Sequence, residues 1–340
     1  MTAMLDQVID GPTQAEEAGL NYVDDGAPGF RRVRRGRGFS YHAPDGEGAG
    51  DSEVERFKSL AIPPAWREVW IAADLDDHIQ ATGYDSAGRK QYIYHPAWEE
   101  IRDELKFLRL GGFGNALHRL RRRVDSDLRL AGLPRSKVVA LAVAVLDRTL
   151  IRVGNREYAS ENESYGLTTL TCDHVDVSGQ HVHLEFEGKG GAGTQLAFKD
   201  RRLAELIGRC QALSAETLFS FEHDNGASSI TSADVNSYLA ATMRGPFTAK
   251  DFRTWGATTI VTRELASANG DDPDAALLDA IDTAAATLGN TRAVCRSSYL
   301  HPAVPDAFLD GSLAEAWRRA RPGKWIDRAE SAVKRLVDPA

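Results

Sequence analysis

The chain has 340 residues, of which 42% are hydrophobic and 26% are charged. These proportions are ordinary for a soluble globular protein with room for two domains, and they exclude a fibrous or disordered chain. The formal net charge of −8 argues, taken alone, against a nucleic-acid partner, because Lys and Arg side chains supply most of the affinity for phosphates.

The charges are distributed unevenly along the chain. Residues 1–30 contain six acidic residues and no Lys or Arg, whereas basic residues cluster between Arg31 and Arg37 and again between Arg119 and Arg123. Local fields rather than net charge decide whether a protein contacts a polyanion. The net charge therefore does not exclude a nucleic-acid partner.

The first part of the chain predicts a small β-rich domain. Residues 1–20 are expected to form a mobile acidic tail, and Ala43–Gly50 an exposed loop with few apolar groups. Residues 21–96 contain short apolar or aromatic runs separated by Gly, Pro and Asp, a pattern typical of strands. The predicted strands are Gly38–His42, Val69–Ala73, His78–Gly83 and Lys90–His95.

From residue 97 onward the apolar residues recur with helical spacing, as in the series from Trp98 to Leu108 and from Val138 to Leu150. Residues 97–340 are therefore predicted to form a larger, mainly helical domain. One interruption, His174–Phe186, alternates in the manner of a β-hairpin and leads to Lys189 in a Gly-rich turn. The fold class predicted for the whole chain is α+β.

Signals for helix ends fall close to Arg253 and Tyr299 in the second half of the chain. The stretch Thr248–Asp251 is a capping box, which predicts a helix that begins near Ala249 and places Arg253 in its first turn. Backbone N–H groups at such an end favour an anion. Gly289 is expected to end the preceding helix and Thr291 to cap a short helix that leads to Tyr299.

Four residues in separate stretches suit phosphate chemistry, namely Arg152, Lys189, Arg253 and Tyr299. Two guanidinium groups can neutralise a phosphodiester, an ammonium can give a proton to a departing sugar oxygen, and a phenol can replace that oxygen covalently. Each signal alone is weak, since most arginines are solvated or structural and a Lys in a Gly-rich turn is usually solubilising. The ordered set suggests an enzyme that breaks and rejoins DNA without a metal or other cofactor.

Around these residues the sequence resembles the type IB DNA topoisomerases of the poxvirus and bacterial branch, from about Asp24 to about Pro305. The matching blocks include Ile62–Trp66, Val69–Ile71, His78–Gly83, Gly88–His95, Leu150–Asn155 and Glu161–Leu170. The resemblance implies a β-rich clamp domain and a helical catalytic domain that close around duplex DNA. It also implies ATP-independent relaxation of supercoils through single-strand cleavage, strand rotation and religation.

The resemblance also implies a role for each catalytic residue. Tyr299 is the nucleophile that forms a 3′-phosphotyrosyl link, Arg152 and Arg253 bind the non-bridging oxygens, and Lys189 protonates the leaving 5′ oxygen. Where the family usually has a histidine, this chain has Asn290, which can donate a hydrogen bond but carries no charge. A helix C-cap role for Asn290, beside Gly289, is an equal alternative.

The resemblance places DNA contacts at Arg89, Lys90, Gln91, Tyr92, Tyr94, Tyr158 and Lys250. Basic and amide side chains between aromatic residues suit phosphate and base-edge contacts. An alternative for Tyr92 and Tyr94 is that they occupy opposite faces of a strand, with one in the core. The basic run Phe30–Phe39 is a candidate edge for phosphate contacts or an ordinary strand with surface arginines.

Two other functions stay open, a tyrosine recombinase or integrase and a non-catalytic DNA-binding protein of the same fold. The absence of a His-x-x-Arg signature at Arg253, where Lys250 takes the histidine position, argues against the recombinase. His181 and His183 lack partners for a zinc site. Three cysteines without C-x-x-C spacing and the lack of an apolar span predict a cytoplasmic protein with no membrane partner. Because one chain holds the whole catalytic set, we expect a nucleoid-associated monomer with no obligatory protein partner.

Overall fold

The computed structural model describes residues 11–86, 88–156, 159, 163–213, 215–224, 226–268 and 272–338. The chain divides into two compact units, one that ends at Lys106 and one that begins at Phe107. The predicted α+β class is confirmed, with a sheet in the first unit and mainly helices in the second. Among the described residues, no helix has the length and apolarity to cross a membrane.

The first unit is built on one antiparallel sheet of five strands in the order β2-β1-β3-β4-β5. Its elements are α1 (Gly11–Glu17), β1 (Gly29–Arg35), β2 (Gly38–His42), α2 (Asp51–Ser59), β3 (Arg67–Ala72), β4 (Ile79–Tyr84) and β5 (Lys90–Tyr94).

Both faces of this sheet are partly covered, because β3 has apolar residues at successive positions and successive side chains of a strand point to opposite faces. Phe30, Ile71 and Ala81 lie on one face and pack against Phe57 of α2. On the other face, Trp70 of β3 is buried and donates from Nε1 to the Ala27 carbonyl at 3.0 Å. Residues 23–27 therefore cover the middle of this second face.

The second unit contains one three-stranded sheet in the order β6-β7-β8, one two-stranded hairpin, β9 with β10, and a set of helices around a single large apolar core. Its elements are α3 (Pro96–Asp127, which begins in the first unit), α4 (Arg135–Thr149), β6 (Val175–Ser178), β7 (His181–Glu187), β8 (Gly193–Lys199), α5 (Arg201–Gln211), β9 (Ser220–His223), β10 (Gly226–Ser229), α6 (Ser232–Met243), α7 (Ala249–Ser267), α8 (Pro273–Leu288), α9 (Arg292–Ser298), α10 (Ala303–Leu309), α11 (Ser312–Arg319) and α12 (Arg328–Val337).

Helix α7 lies at the centre of this core and is held firmly on the side that faces α12. Trp255 of α7 is buried, and its Nε1 donates to Glu330 Oε1 at 3.1 Å. Glu330 also accepts from Arg121 of α3, which pairs with Asp147 of α4 as well. Four helices therefore meet at one ion-pair network, in which Glu330 is buried and Arg121 and Asp147 are half-buried.

The two ends of the predicted N-terminal domain differ from the structure. The predicted mobile tail extends to residue 20, but Gly11–Glu17 form a helix, and Ala15 and Leu20 are buried against Trp98; residues 1–10 lie outside the described residues. Trp98 also explains why the C-terminal boundary of this domain differs from the predicted one. The first turns of α3 pack on the first unit, so the chain divides at residue 106 and not at the predicted residue 96.

Candidate active site

Arg152 is held by close backbone packing between two segments. Its carbonyl accepts from the Leu167 N–H at 2.8 Å. A Cβ added to Gly166 would lie 2.7 Å from the Arg152 oxygen, and Gly154 has a φ of +85°. Only glycine permits this approach and this conformation without strain. The Val-Gly-Asn and Tyr-Gly-Leu stretches of the sequence therefore fix the backbone from which the Arg152 side chain extends.

Arg253 joins the C-terminal ends of two helices. Its Nη1 donates to the Leu150 carbonyl at 2.6 Å and its Nη2 to the Leu288 carbonyl at 2.8 Å, at the ends of α4 and α8. Helix carbonyls at such ends lack intrahelical partners and favour a cation. Gly256, one turn farther along α7, permits this closeness because a Cβ there would meet the Leu150 side chain at 2.3 Å.

The helix that carries Arg253 begins at Ala249, as the capping box predicts, and Asp251 accepts from the Thr248 N–H at 2.7 Å. Arg253 is the fifth helical residue, so its predicted place in the first turn is wrong. The prediction that the free N–H groups of this helix end would help to hold a phosphate bound by Arg253 therefore loses its basis, and the Arg253 guanidinium is instead positioned by carbonyls of other helices.

Asn290 follows Gly289 in the expected helix-ending motif. Gly289 has a φ of +61°, and the Asn290 N–H bonds the Ala285 carbonyl at 2.9 Å, as in a Schellman motif. This backbone role leaves the side chain available. Its Oδ1 accepts from Arg152 Nη2 at 2.8 Å, while its Nδ2 is buried and makes no hydrogen bond within the described part of the chain.

Lys189 lies in the turn between β7 and β8, where Gly190 and Gly191 both adopt positive φ. Its side chain is exposed. Arg152, Lys189 and Arg253 nevertheless line one cavity of about 190 Å³. The structure thus brings three of the four predicted catalytic groups, from widely separated stretches, to the wall of a single small cavity.

Tyr299 ends α9 and is half-buried. Thr258 of α7 fixes its backbone, because the Thr258 hydroxyl donates to the Tyr299 carbonyl at 3.3 Å and accepts from the His301 N–H at 3.2 Å. The Arg253 guanidinium carbon lies 5.1 Å from the centre of the Tyr299 ring. Helix α7 therefore supports both the arginine and the tyrosine.

The cationic surroundings change the acidity of the phenol. Burial alone would raise the pKa of Tyr299, but the positive charges of Arg253, Arg152 and the exposed Lys250 lower it below its ordinary value. Burial, followed by the charge of Arg152, also lowers the pKa of Arg253. An anion in the cavity would relieve this repulsion, so the arrangement favours phosphate binding.

The predicted DNA-contact residues of β5 and the preceding turn are paired with carboxylates. Lys90 Nζ lies 2.6 Å from Asp25 Oδ2, and Arg89 Nη2 lies 2.7 Å from Asp85 Oδ2. Gln91 also donates to Asp85, at 3.0 Å. These side chains are partly exposed and form one polar edge of the sheet.

Tyr92 and Tyr94 lie on the same face of β5. Their rings stack at a centroid distance of 5.8 Å; Tyr92 is exposed and Tyr94 is half-buried. The alternative that places them on opposite faces is wrong, because residues two apart in a strand point to the same side. Tyr158, another predicted contact, lies outside the described residues.

Sequence reasoning missed the residues that position these groups. Asp25 and Asp85 hold the β5 cations, and Thr258 holds the Tyr299 backbone. Asp25 and Lys90 are 65 positions apart, and no local motif links them. Only Asp85 had a signal in the sequence, as an acidic residue at the start of the turn before Arg89.

Comparison with known proteins identifies the family. The family described as eukaryotic DNA topoisomerase I, catalytic core, matches residues 95–308, and the one described as bacterial DNA topoisomerase IB, N-terminal domain, matches residues 38–85. A DNA topoisomerase 1B of Acanthamoeba polyphaga mimivirus is 30% identical over 285 residues, which cover 80% of this chain and 85% of the relative.

Shorter matches agree with this result. The vaccinia virus (strain Copenhagen) DNA topoisomerase 1B is 27% identical over 110 residues, or 32% of this chain and 34% of the relative. A Mycosarcoma maydis DNA topoisomerase 1 is 27% identical over 134 residues, or 37% of this chain and 13% of the relative. The resemblance seen in the sequence is confirmed: the chain belongs to the type IB DNA topoisomerases and is an enzyme of the isomerase class.

Proposed function

We propose that Tyr299, Arg152, Lys189, Arg253 and Asn290 form the catalytic site with which this topoisomerase relaxes supercoiled duplex DNA. The observation that carries the proposal is the cavity that Arg152, Lys189 and Arg253 line together, with the Arg253 guanidinium over the ring of Tyr299. Three cationic groups around one small cavity suit a single phosphodiester.

In the proposed cleavage step, Tyr299 Oη attacks the phosphorus and the bond from phosphorus to the 5′ oxygen breaks. Its lowered pKa favours loss of the phenolic proton to solvent before attack. Lys189 gives a proton to the leaving oxygen, because an alkoxide is a much poorer leaving group than a phenolate. The products are a 3′-phosphotyrosyl link and a free 5′-hydroxyl.

Arg152 and Arg253 stabilise the charge that develops on the non-bridging oxygens in the transition state. Asn290 keeps Arg152 in place through Oδ1 and offers its buried Nδ2 to a phosphate oxygen. Religation is the reverse reaction, in which the 5′-hydroxyl attacks and Tyr299 leaves. Because the covalent link retains the phosphodiester energy, the cycle needs no ATP.

The described residues of β5, together with Lys250 and Tyr158, are proposed to contact the duplex. Exposed Tyr92 and the polar groups of Arg89, Lys90 and Gln91 support contacts to phosphates and base edges. We further propose a monomer that acts on the nucleoid in the cytoplasm, since one chain supplies the whole catalytic set.

The test is incubation with negatively supercoiled plasmid in EDTA without ATP. We expect stepwise relaxation, and its complete loss in Tyr299→Phe, together with loss of the covalent protein–DNA adduct on a denaturing gel. A Tyr299→Phe protein that still forms the adduct would contradict the assignment of the nucleophile.

A second substrate tests Lys189 separately. With a normal phosphodiester, Lys189→Ala should slow single-turnover cleavage by roughly 10²–10⁴-fold, the usual contribution of a general acid. With sulfur in place of the bridging 5′ oxygen, the thiolate leaves without a proton, so the variant should approach the wild-type rate. An equal loss on both substrates would remove Lys189 from this role.

A further inference from the structure

The β1–β2 hairpin carries arginines that the proposed reaction does not use. Arg32 has a structural role, because its guanidinium donates to the carbonyls of Ile62, Pro63 and Trp66 and lies 4.2 Å from the centre of the Phe39 ring. The other arginines of the hairpin are exposed; they are Arg31, Arg34, Arg35 and Arg37.

The register of the sheet assigns these arginines to faces. Arg31 lies opposite Trp70, Trp70 opposite Thr82, and Thr82 opposite Tyr92. Residues directly opposite each other in antiparallel strands point to the same side of the sheet. Arg31 therefore shares a face with Tyr92, and so does Arg35, four positions along the same regularly paired strand.

Arg34 points to the other side of the sheet. It is one position removed from Arg35, and its neighbour on that face is Arg32, which packs with Phe39. Arg34 is exposed like Arg31 and Arg35. The hairpin therefore contains its own control, an arginine of the same exposure on the opposite face.

The face shared with Tyr92 is exposed on β5, which is one edge strand, and on β1, which lies next to the other edge strand, β2. Its middle is covered, because Ala27 accepts from Trp70 and Asp25 accepts from Thr82. Three strand spacings separate β1 from β5, or about 14 Å at ~4.8 Å each. The major groove of B-DNA is about 12 Å wide, so β1 and β5 are spaced to meet backbones on its two sides.

The two exposed strands, β1 and β5, differ in charge. Arg35 Nε has a weak contact with Ser40 Oγ at 3.4 Å, and within the described ranges of the chain no carboxylate lies at ion-pairing distance from Arg31 or Arg35. Lys90 on β5 is paired with Asp25. In a protein with a net charge of −8, these unneutralised guanidiniums are suited to a polyanion.

We propose that Arg31 and Arg35 bind phosphates of the duplex backbone next to the stretch that β5 contacts, so that the DNA interface includes β1 as well as β5. The proposal rests on the proposed DNA contacts of β5. Guanidinium contacts to phosphates add affinity without base selectivity, so the effect is the same for every DNA sequence.

The experiment measures the equilibrium binding of a 30-bp duplex to Tyr299→Phe protein, which cannot form the covalent adduct, between about 50 and 200 mM salt. Arg31→Gln and Arg35→Gln should each lower the slope of log K against log salt by about 0.9, and the double variant by about 1.8. Arg34→Gln should leave the slope unchanged. Thermal unfolding of each variant should match that of the parent.

The experiment distinguishes failure of the proposal for Arg31 and Arg35 from failure of the proposed DNA contacts of β5. The β5 contacts are tested in the Asp25→Asn background, where Lys90 is released from its carboxylate partner. If Lys90→Gln in that background lowers the slope and the Arg31/Arg35 double variant does not, the hairpin proposal is overturned while the β5 contacts stand. If neither does, the β5 contacts fail and the hairpin proposal fails with them. An equal loss in Arg34→Gln would mean a general charge effect, which also overturns the proposal.

Discussion

The cations of the cavity and the cations of β5 are held in different ways. Arg253 is bound by the carbonyls of Leu150 and Leu288, and Arg152 by the Asn290 amide, all of them neutral acceptors. Lys90 and Arg89 are bound by the carboxylates of Asp25 and Asp85. The same kind of side chain is therefore left fully charged in one region and neutralised in the other.

This difference indicates which cations have their full charge available for a phosphate. A guanidinium fixed by neutral acceptors keeps both its geometry and its whole charge for the substrate, as electrostatic stabilisation of a transition state requires. A cation paired with a carboxylate must exchange that partner for a phosphate, so its net contribution to binding is small. We therefore expect the cavity to determine rate and the β5 edge to adjust affinity.

The largest effect is expected in the cavity. Arg253→Ala removes a fixed charge and should lower the single-turnover cleavage rate by about 10²–10³-fold with little change in DNA affinity. Arg253→Lys should be intermediate, because an ammonium keeps the charge but not the planar fork that joins two carbonyls. A cleavage rate reduced less than tenfold in Arg253→Ala would contradict the view that the fully charged cations of the cavity determine the rate.

A half-buried arginine that does have carboxylate partners provides a second test of the comparison. Arg121 pairs with Asp147 and Glu330, so it supports structure and offers no free charge. Breaking such a buried pair with Glu330→Ala should cost about 3 kcal/mol in the free energy of unfolding, measured by urea denaturation. Glu330→Gln, which can still accept from Trp255, should cost less. A loss below about 1 kcal/mol in Glu330→Ala would contradict this view.

The same network predicts a pH dependence. Burial would raise the pKa of Glu330, but the hydrogen bonds and charge of Arg121 lower it below its ordinary value of 4.5. Its contribution to stability is therefore complete above pH 4.5 and disappears as the pH falls through the lower pKa of the folded state. Glu330→Gln should lack this acid-dependent loss.

Substitutions at Asn290 can convert the neutral acceptor of Arg152 into a carboxylate partner like those of Lys90 and Arg89. Asn290→Ala removes the acceptor of Arg152 and should slow cleavage about tenfold, as expected for a hydrogen bond to a charged group. Asn290→Asp keeps an acceptor but neutralises Arg152 as on β5, and should slow cleavage by up to about 10²-fold. An aspartate variant faster than the alanine variant would show that the neutral acceptor is unimportant.

The smallest effect is expected on β5. Asp25→Asn releases Lys90 and should steepen the salt dependence of duplex binding by up to about 0.9, with a few-fold gain in affinity at low salt. Asp24→Asn is the matched control, because it makes the same charge change and, among the described residues, this exposed carboxylate accepts only from the Gly26 N–H. Equal effects of the two variants would indicate a change in net charge and not release of Lys90.

Much of the local structure was predictable from the sequence, whereas the partners of the charged groups were not. Gly289 and Thr291 end and begin helices as their residue types predict, and β6–β8 follow the alternating pattern. These signals act over a few residues. Helix α2 was not predicted, because Asp51–Ser59 has only two apolar residues, Val54 and Phe57, which are too few to show a period.

The misplacement of Arg253 has a similar cause. The capping box correctly predicts the start of α7, but the partners of the guanidinium are carbonyls 103 and 35 positions away. Contacts of that kind depend on how helices pack, which residue pattern alone does not specify. The catalytic residue types were therefore readable in the sequence, while the electrostatic design around them required the structure.

Arg253 has both a structural and a proposed catalytic role. Two of its five N–H bonds are occupied by the ends of α4 and α8, which leaves Nε–H and one hydrogen on each terminal nitrogen for a phosphate. A substrate that pulled the guanidinium fully toward itself would loosen both helix ends. The scaffold thus limits how far this arginine can follow the moving phosphorus, and the incoming DNA must adapt to the protein.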